Sequence, residues 1–226
     1  MQISGLEPID FLEGKLIVRS FAFWRFSYED TLKRLLDLVL AALGLIATLP
    51  LSLVILAAIR IDSPGSPLFV QERVGIHGRR FRFYKFRSMY VDAEHRLAEV
   101  LALNEIDGPV FKMRNDPRVS RVGMFLRRTS LDELPQLINV LKGEMSLVGP
   151  RPPLAREVEQ YRPADAVRLS VKPGLTCLWQ IRGRSDIGFD QWMEFDREYV
   201  REVSLWLDIR ILLRTVWVVL NCHGAY

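Results

Sequence analysis

A chain of 226 residues, 49% of them apolar and 26% charged, has enough sequence for one domain with a real core, and is neither a disordered tail nor a multi-span transporter. Two cysteines, Cys177 and Cys222, exclude a disulfide framework or Cys-rich zinc site and favour a reducing compartment, and three scattered histidines lack metal-ligand spacing. The formal charge of +4 favours an anionic partner, which composition alone leaves as nucleic acid, membrane surface or phosphorylated substrate.

Residues 1–34 carry as many acids as bases and hold an aromatic cluster, Phe21-Ala-Phe-Trp-Arg-Phe26, that suits a lipid interface or a core patch equally. From Leu38 to Ile59 no residue is charged, and as a helix this run is about 33 Å long, near the hydrocarbon thickness of a bilayer. It starts too late and runs too long for a cleaved signal peptide; a buried core helix is the alternative. Lys33 and Arg34 precede it and Arg60 follows, so both flanks are basic and the positive-inside rule gives no clean single crossing. Pro50 removes a backbone donor mid-run. The sequence therefore predicts a re-entrant helix broken at Pro50, with Thr48 and Ser52 supplying hydroxyls to the freed backbone, over an ordinary kinked span. Asp37 is expected at the membrane interface beside Lys33 and Arg34.

After the turn-rich Asp62–Pro67, the stretch Leu68–Met89 reads as a basic hairpin, Asp92–Glu105 as a helix, and Asn115–Arg118 as a turn. Leu131–Leu141 reads as a short helix closed by the loop Gly149–Pro153, and Gly183–Gly188 as another loop. Phe189–Asn221 reads as helical; its apolar second half, interrupted by Asp208, Arg210 and Arg214, suits an interfacial helix with snorkelling arginines or a core helix. The expected fold is mostly α with a short β-hairpin, divided into an interfacial segment (1–34), a re-entrant membrane helix (35–60) and a catalytic domain (61–226).

No GxGxxG, Walker loop, Gly-x-Ser-x-Gly elbow or Asp-x-Asp motif is present. The densest constellation is Arg127-Arg-Thr-Ser-Leu-Asp132-Glu133-Leu-Pro135. Ser130-x-x-Glu133 fits a capping box, but Pro135 then falls too deep in the helix, so a start nearer Asp132 is expected. Lys85, Arg87, Arg118, Arg127 and Arg151 lie in short polar segments between apolar runs, as residues held around an anion do; surface salt bridging accounts for any one of them alone. Gly149-Pro-Arg151-Pro presents a stiff guanidinium suited to bidentate phosphate binding. A carboxylate in that setting can attack phosphorus, and its neighbour can hold Mg²⁺.

Eight motifs occur in order: Lys33-Arg34-x-x-Asp37, Gln71-Glu-Arg-Val-Gly75, Lys85-Phe-Arg-Ser-Met89, Asn115-Asp-Pro-Arg118, Thr129-Ser-Leu-Asp-Glu-Leu-Pro-Gln-Leu137, Asn139-Val-Leu-Lys-Gly143, Ser146-Leu-Val-Gly-Pro-Arg-Pro152 and Lys172-Pro-Gly-Leu-Thr176. From Lys33 onward the chain resembles the bacterial sugar transferases, the monotopic polyprenyl-phosphate phosphoglycosyl transferases, and most of all their small galactose-phosphate type. The resemblance implies transfer of a phosphosugar from a UDP-sugar to polyprenyl phosphate at the cytoplasmic face of the bacterial inner membrane, starting assembly of an exopolysaccharide or other glycoconjugate. It implies a two-step reaction with Mg²⁺ in which Asp132 is the nucleophile and Glu133 the metal ligand. It also implies that Arg151 binds substrate phosphate, that Arg127 positions the active helix, and that the membrane element breaks at Pro50. The implied partners are the UDP-sugar, the polyprenyl phosphate and the bilayer, without nucleic acid; a homodimer stays open. Leu49, where many members have Ser before the proline, and Cys177, where Gly is usual, depart from the pattern. The alternative is a membrane-tethered, non-catalytic scaffold or nucleic-acid-binding module using Arg79–Arg87 with its interleaved aromatics, which leaves Asp132 and Glu133 without a task.

Overall fold

The computed structural model describes residues 10–12, 15–17, 28–183 and 187–221. The Phe21–Phe26 cluster, part of the Gly183–Gly188 loop, Cys222 and the C-terminal Gly224–Tyr226 lie outside the described residues. Strands β1 (Asp10–Leu12) and β2 (Lys15–Ile17) pair antiparallel ahead of the dominant element, α1 (Lys33–Asp62).

Leucine and alanine favour α1 throughout, and the 30-residue helix continues through Pro50. Its buried residues, Lys33, Asp37, Ala41, Ile55 and Ile59, recur at helical spacing and form one stripe along its length. At its start the stripe meets the main core, where Ala41 joins Leu137 and Val140. Gly44 lies against Leu137, and at the far end Ile55 and Ile59 pack with Phe86 and Leu126. The Asp62 carboxylate then accepts from Val122 N (3.1 Å). The opposite face leaves Leu43, Ile46, Leu49, Leu53 and Val54 exposed. A helix of about 45 Å is thus fastened toward both ends to one side of the same domain.

Two expectations for α1 need correction: the break at Pro50, which the helix runs through without interruption, and the partner of the Thr48 hydroxyl. Lys33 and Asp37, expected at the membrane interface, are 9% and 4% exposed and bonded inside the protein. Asp37 Oδ1 accepts from Ser146 Oγ (3.0 Å) and Leu147 N (2.8 Å), and Lys33 Nζ donates to Val148 O (3.0 Å) and to Asp208. Arg34 likewise turns inward, donating to Val140 O (2.6 Å) and Leu141 O (2.8 Å). Charges this close to an apolar run are tolerated because each finds a partner. Thr48 does not serve the Ile46 carbonyl that Pro50 leaves unbonded; its hydroxyl donates to Gly44 O (2.7 Å), one turn back.

Strands β3 (Leu68–Val74) and β4 (Arg80–Phe86) form the expected hairpin, in register from Leu68↔Phe86 to Val74↔Arg80. His77 and Gly78 take positive φ (54° and 75°) in its turn. Phe81, Phe83 and Phe86 are buried, so their rings are not available as base-stacking surfaces, which removes the main support for a nucleic-acid module. The expected helix over Asp92–Glu105 shrinks to α2 (Leu97–Val100) and a 3₁₀ turn, Leu101–Leu103. Asn104 ends it by donating to Ile106 O and Val110 O and accepting from Lys112 N, which organises the following loop.

Helix α3 (Arg121–Thr129) is capped by Ser120, whose hydroxyl accepts from Gly123 N, and stops at Ser130, in the left-handed region (φ 57°). A 3₁₀ turn, Leu131–Glu133, leads to α4 (Gln136–Lys142), entered at Pro135 and closed by Gly143. The expected single helix over Leu131–Leu141 is therefore two pieces, as Pro135 demands. Strand β5 (Ser146–Val148), α5 (Ala155–Val158), β6 (Gly174–Thr176) and α6 (Leu178–Arg182) follow, with β5 and β6 parallel. The last stretch is α7 (Phe189–Glu202) and α8 (Leu205–Leu220), separated where Ser204 caps α8. Helix α8 buries Leu207, Asp208 and Ile211 and exposes Trp206, Leu213, Val216 and Trp217. The result is mostly helical with small two-stranded sheets.

A Cβ on Gly123 would lie 1.9 Å from the Ser88 carbonyl oxygen, whereas one on Gly188 meets nothing within 4 Å. Gly123→Ala should therefore destabilise the protein by about 2 kcal/mol or more and Gly188→Ala by under about 1 kcal/mol, read as melting temperatures.

Candidate active site

One cavity of about 1010 Å³ opens between the β3–β4 hairpin, the turn after α3, the 149–154 loop and helices α6 and α7. Asp132 and Glu133 sit in its wall on the 3₁₀ turn, Asp132 being 5% exposed. The left-handed Ser130 reverses the chain directly after α3, so this turn abuts β4 and Lys85 reaches both carboxylates. Lys85 Nζ lies 2.7 Å from Glu133 Oε1 and 3.4 Å from Asp132 Oδ2. Asn139 Oδ1 accepts from Tyr84 N (3.2 Å) and its Nδ2 donates to Arg82 O (2.6 Å), which fixes β4, and hence Lys85, against α4.

The two acids differ electrostatically although they are neighbours. Burial, with the Glu133 charge adding to it, pushes the Asp132 carboxyl above the usual aspartate range despite Lys85 and Arg127. Burial opposes ionisation of Glu133 too, but Lys85 and then Arg151 hold it below its usual range. The pair titrates jointly, with Glu133 the more firmly ionised member.

The five basic residues expected around an anion divide into two groups. Lys85, Arg127 and Arg151 face the carboxylates across the cavity. Arg127 Nε donates to Ser88 Oγ (3.0 Å), and among the described residues the Arg151 guanidinium has no hydrogen-bond partner. Arg168 Nη2 donates to Arg151 O (2.8 Å) and steadies that loop. Arg87 and Arg118 also reach the cavity wall, but their terminal nitrogens are committed within the fold. Arg87 donates to Pro64 O and to Ser63 O and Oγ (2.7–2.9 Å), closing the turn after α1. Arg118 pairs with both Asp116 oxygens (2.9 and 2.7 Å) and donates to Ala93 O. Through these bonds the two arginines hold the cavity's shape.

Arg73, part of the Gln71–Gly75 motif, and Trp179 also line the cavity. Among the described residues no group of three or more His, Cys, Asp or Glu is arranged to hold a metal. Two adjacent carboxylate side chains already holding one cation, Lys85, are nonetheless a donor set that fits Mg²⁺, which takes one or two protein carboxylates and completes its shell with water and substrate phosphate.

The family described as bacterial sugar transferase matches residues 28–222. The chain belongs to that family. Similar proteins include the galactosyl transferase CpsE of Streptococcus agalactiae, 47% identical over 223 residues, 98% of this chain and 49% of CpsE. The UDP-galactose-lipid carrier transferase of Erwinia amylovora is 48% identical over 199 residues, 86% of this chain and 42% of that protein. The exopolysaccharide production protein ExoY of Rhizobium meliloti is 40% identical over 198 residues, 86% of this chain and 88% of ExoY. The chain thus spans about half the length of the first two relatives and most of ExoY. In this bacterial sugar transferase, Asp132, Glu133, Lys85, Arg127 and Arg151 form one polar cluster around the cavity.

Removing the Lys85 ammonium leaves two neighbouring acids buried without their cation, and the folded-state pKa of each rises. Stability is then lost as pH increases, because the unfolded chain ionises more readily. Lys85→Met should cost about 2–4 kcal/mol at pH 8 and clearly less at pH 5, read from melting temperatures beside wild type. Equal deficits at both values would mean that Lys85 does not compensate the pair.

Proposed function

We propose that the chain transfers a sugar 1-phosphate from a UDP-sugar to polyprenyl phosphate through a covalent aspartyl-phosphosugar intermediate, releasing UMP and initiating exopolysaccharide or related glycan assembly. The observation that carries this reading is the Asp132–Glu133 pair, buried beside Lys85 in a cavity that Arg127 and Arg151 also line, both close enough to act on the pair's charge. Relatives named as a UDP-galactose-lipid carrier transferase and an undecaprenyl-phosphate galactose phosphotransferase support the substrate classes.

In the first step Asp132 attacks the phosphorus bearing the sugar, and the bond to the bridging oxygen breaks with its electron pair leaving on UMP. In the second step an oxygen of the lipid phosphate attacks the same phosphorus, and the Asp132–phosphorus bond breaks to restore the carboxylate. Lys85 keeps Asp132 ionisable in a desolvated site, while Arg127 and Arg151 face the charge of the phosphoryl oxygens. Glu133, the more acidic neighbour, would hold Mg²⁺, which when bound neutralises developing phosphate charge.

The proposal places the enzyme on the cytoplasmic face of the inner membrane, with α1 re-entrant rather than spanning. Support comes from its packing: its first and last thirds both contact one domain, so a crossing helix would separate one end from its partners. Its exposed leucines, with Trp206 and Trp217 of α8 and Phe125 of α3, offer an apolar surface to lipid.

Incubation with Mg²⁺, UDP-galactose or UDP-glucose and undecaprenyl phosphate should release UMP, and Asp132→Asn should abolish release. Because its carboxyl is raised, wild-type activity should fall on the acid side at a pH above the usual aspartate range. A fully active Asn variant, or no UMP from either nucleotide sugar, would refute the mechanism. Leu35→Cys and Ile61→Cys, at opposite ends of α1, should both react with an impermeant maleimide in inside-out vesicles and neither in right-side-out ones. Labelling from opposite sides would rule out re-entry.

A further inference from the structure

Arg73 is a cation in the cavity wall that the carboxylate pair does not account for. It stands next to last in β3, and its Nη1 donates to Pro152 O (3.2 Å) while the following amide, Val74 N, donates to Pro153 O (2.9 Å). Two hydrogen bonds therefore tie Arg73 to the residues immediately after Arg151. Its guanidinium carbon lies 5.4 Å from the Phe83 ring centroid, which shields one side. Its Nε is buried and has no partner among the described residues, and the side chain lines the same cavity as Arg151. Burial first, then Arg151, lowers its pKa to about 10, so it stays charged at neutral pH. Glu157, the acid that acts on it, has its own Oε2 on Leu154 N (2.9 Å). Two neighbouring cations held together by backbone bonds, one with an unsatisfied donor, form a pair that a phosphate would relieve.

We infer that Arg73 and Arg151 form one phosphate clamp used in turn by the departing nucleotide phosphate and the arriving lipid phosphate. This rests on the transfer reaction proposed above. Both displacements occur at one phosphorus with Asp132 as the common partner. In the first, the Asp132–phosphorus bond forms as the bond to the nucleotide phosphate breaks, its electron pair leaving on UMP. In the second, a lipid-phosphate oxygen bonds to phosphorus as the Asp132–phosphorus bond breaks. In-line displacement puts the leaving and attacking oxygens both opposite Asp132, so the phosphates that carry them require the same place. A pair of guanidiniums grips phosphate oxygens and is indifferent to whether a nucleoside or a lipid lies beyond them. The clamp holds one of the two at a time, so UMP must depart before the lipid phosphate binds.

The test uses the full chain in lipid nanodiscs, with magnesium-free inorganic pyrophosphate as a calorimetric probe. Arg73→Gln should weaken pyrophosphate binding by about tenfold or more, Arg73→Lys by less, and Arg80→Gln, which alters an exposed pair with Glu72 on the same hairpin, should leave it unchanged. Wild-type kinetics provide a second arm that needs no variant: UMP should inhibit competitively against undecaprenyl phosphate. Wild-type affinity for pyrophosphate in both Arg73 variants would make Arg73 a buttress for the Arg151 loop and overturn the clamp. Non-competitive inhibition would assign the two phosphates separate places, with the same consequence. Pyrophosphate binding that depends on Arg73 in a protein that releases no UMP would instead sink the transfer reading while leaving the anion site standing.

Discussion

Lys33 and Asp37, one turn apart at the start of α1, place two charges against the backbone of β5. Asp37 accepts from Ser146 and Leu147; Lys33 donates to the Val148 carbonyl and shares Asp208 with the Tyr199 hydroxyl (2.8 Å). The cluster joins α1, β5, α7 and α8 through groups that are nearly all buried. Its partners are mutually satisfied, and loss of any one would strand another without water, so the arrangement specifies a single seating of the helix. Two residues beyond Val148 begins the Pro150-Arg151-Pro152 loop, so the long apolar helix also fixes the strand that delivers Arg151. The apolar helix and the Arg151 loop are linked here by a few hydrogen bonds rather than by a long relay.

The opposite wall is built as economically. Gly123 lets α3 press against the Ser88 carbonyl, and the left-handed Ser130 then reverses the chain so that Asp132 and Glu133 meet Lys85. Asn139 fixes the strand from which Lys85 projects. The carboxylates, their cation and the facing arginines come from separate stretches of chain, each held by contacts that keep the cavity open at its centre. The apolar surfaces of α1, α3 and α8 are exposed while the carboxylate pair and its cation remain within the protein.

The hairpin, the apolar helix, the Asp132–Glu133 pair and the Gly-Pro-Arg loop were legible in the sequence because each rests on local rules: alternation, uninterrupted hydrophobicity, turn chemistry and charge spacing. What stayed hidden was tertiary contact and local side-chain capping. Lys33 and Asp37 flank an apolar run and read as interfacial, but their partners lie more than a hundred residues away. Sequence does not reveal that Ser63 and Pro64, more than twenty residues away, engage the nitrogens of Arg87. The helix expected over Asp92–Glu105 lost to side-chain bonds from Asn104, and the final helix divided at a Ser204 cap that an apolar periodicity conceals. Arg73 stands in a recognised motif, but its place beside Arg151 depends on how β3 meets the 149–154 loop.

The central claim is that Asp132 carries the phosphosugar covalently between the two substrates. It is tested most directly by incubating the protein with a UDP-sugar and Mg²⁺ in the absence of lipid acceptor, quenching, and mapping the adduct by peptide mass spectrometry. The account predicts a hexose phosphate on the peptide containing Asp132, discharged when polyprenyl phosphate is added. An adduct on another residue, or release of UMP with no adduct on any peptide and direct formation of lipid product, would contradict it.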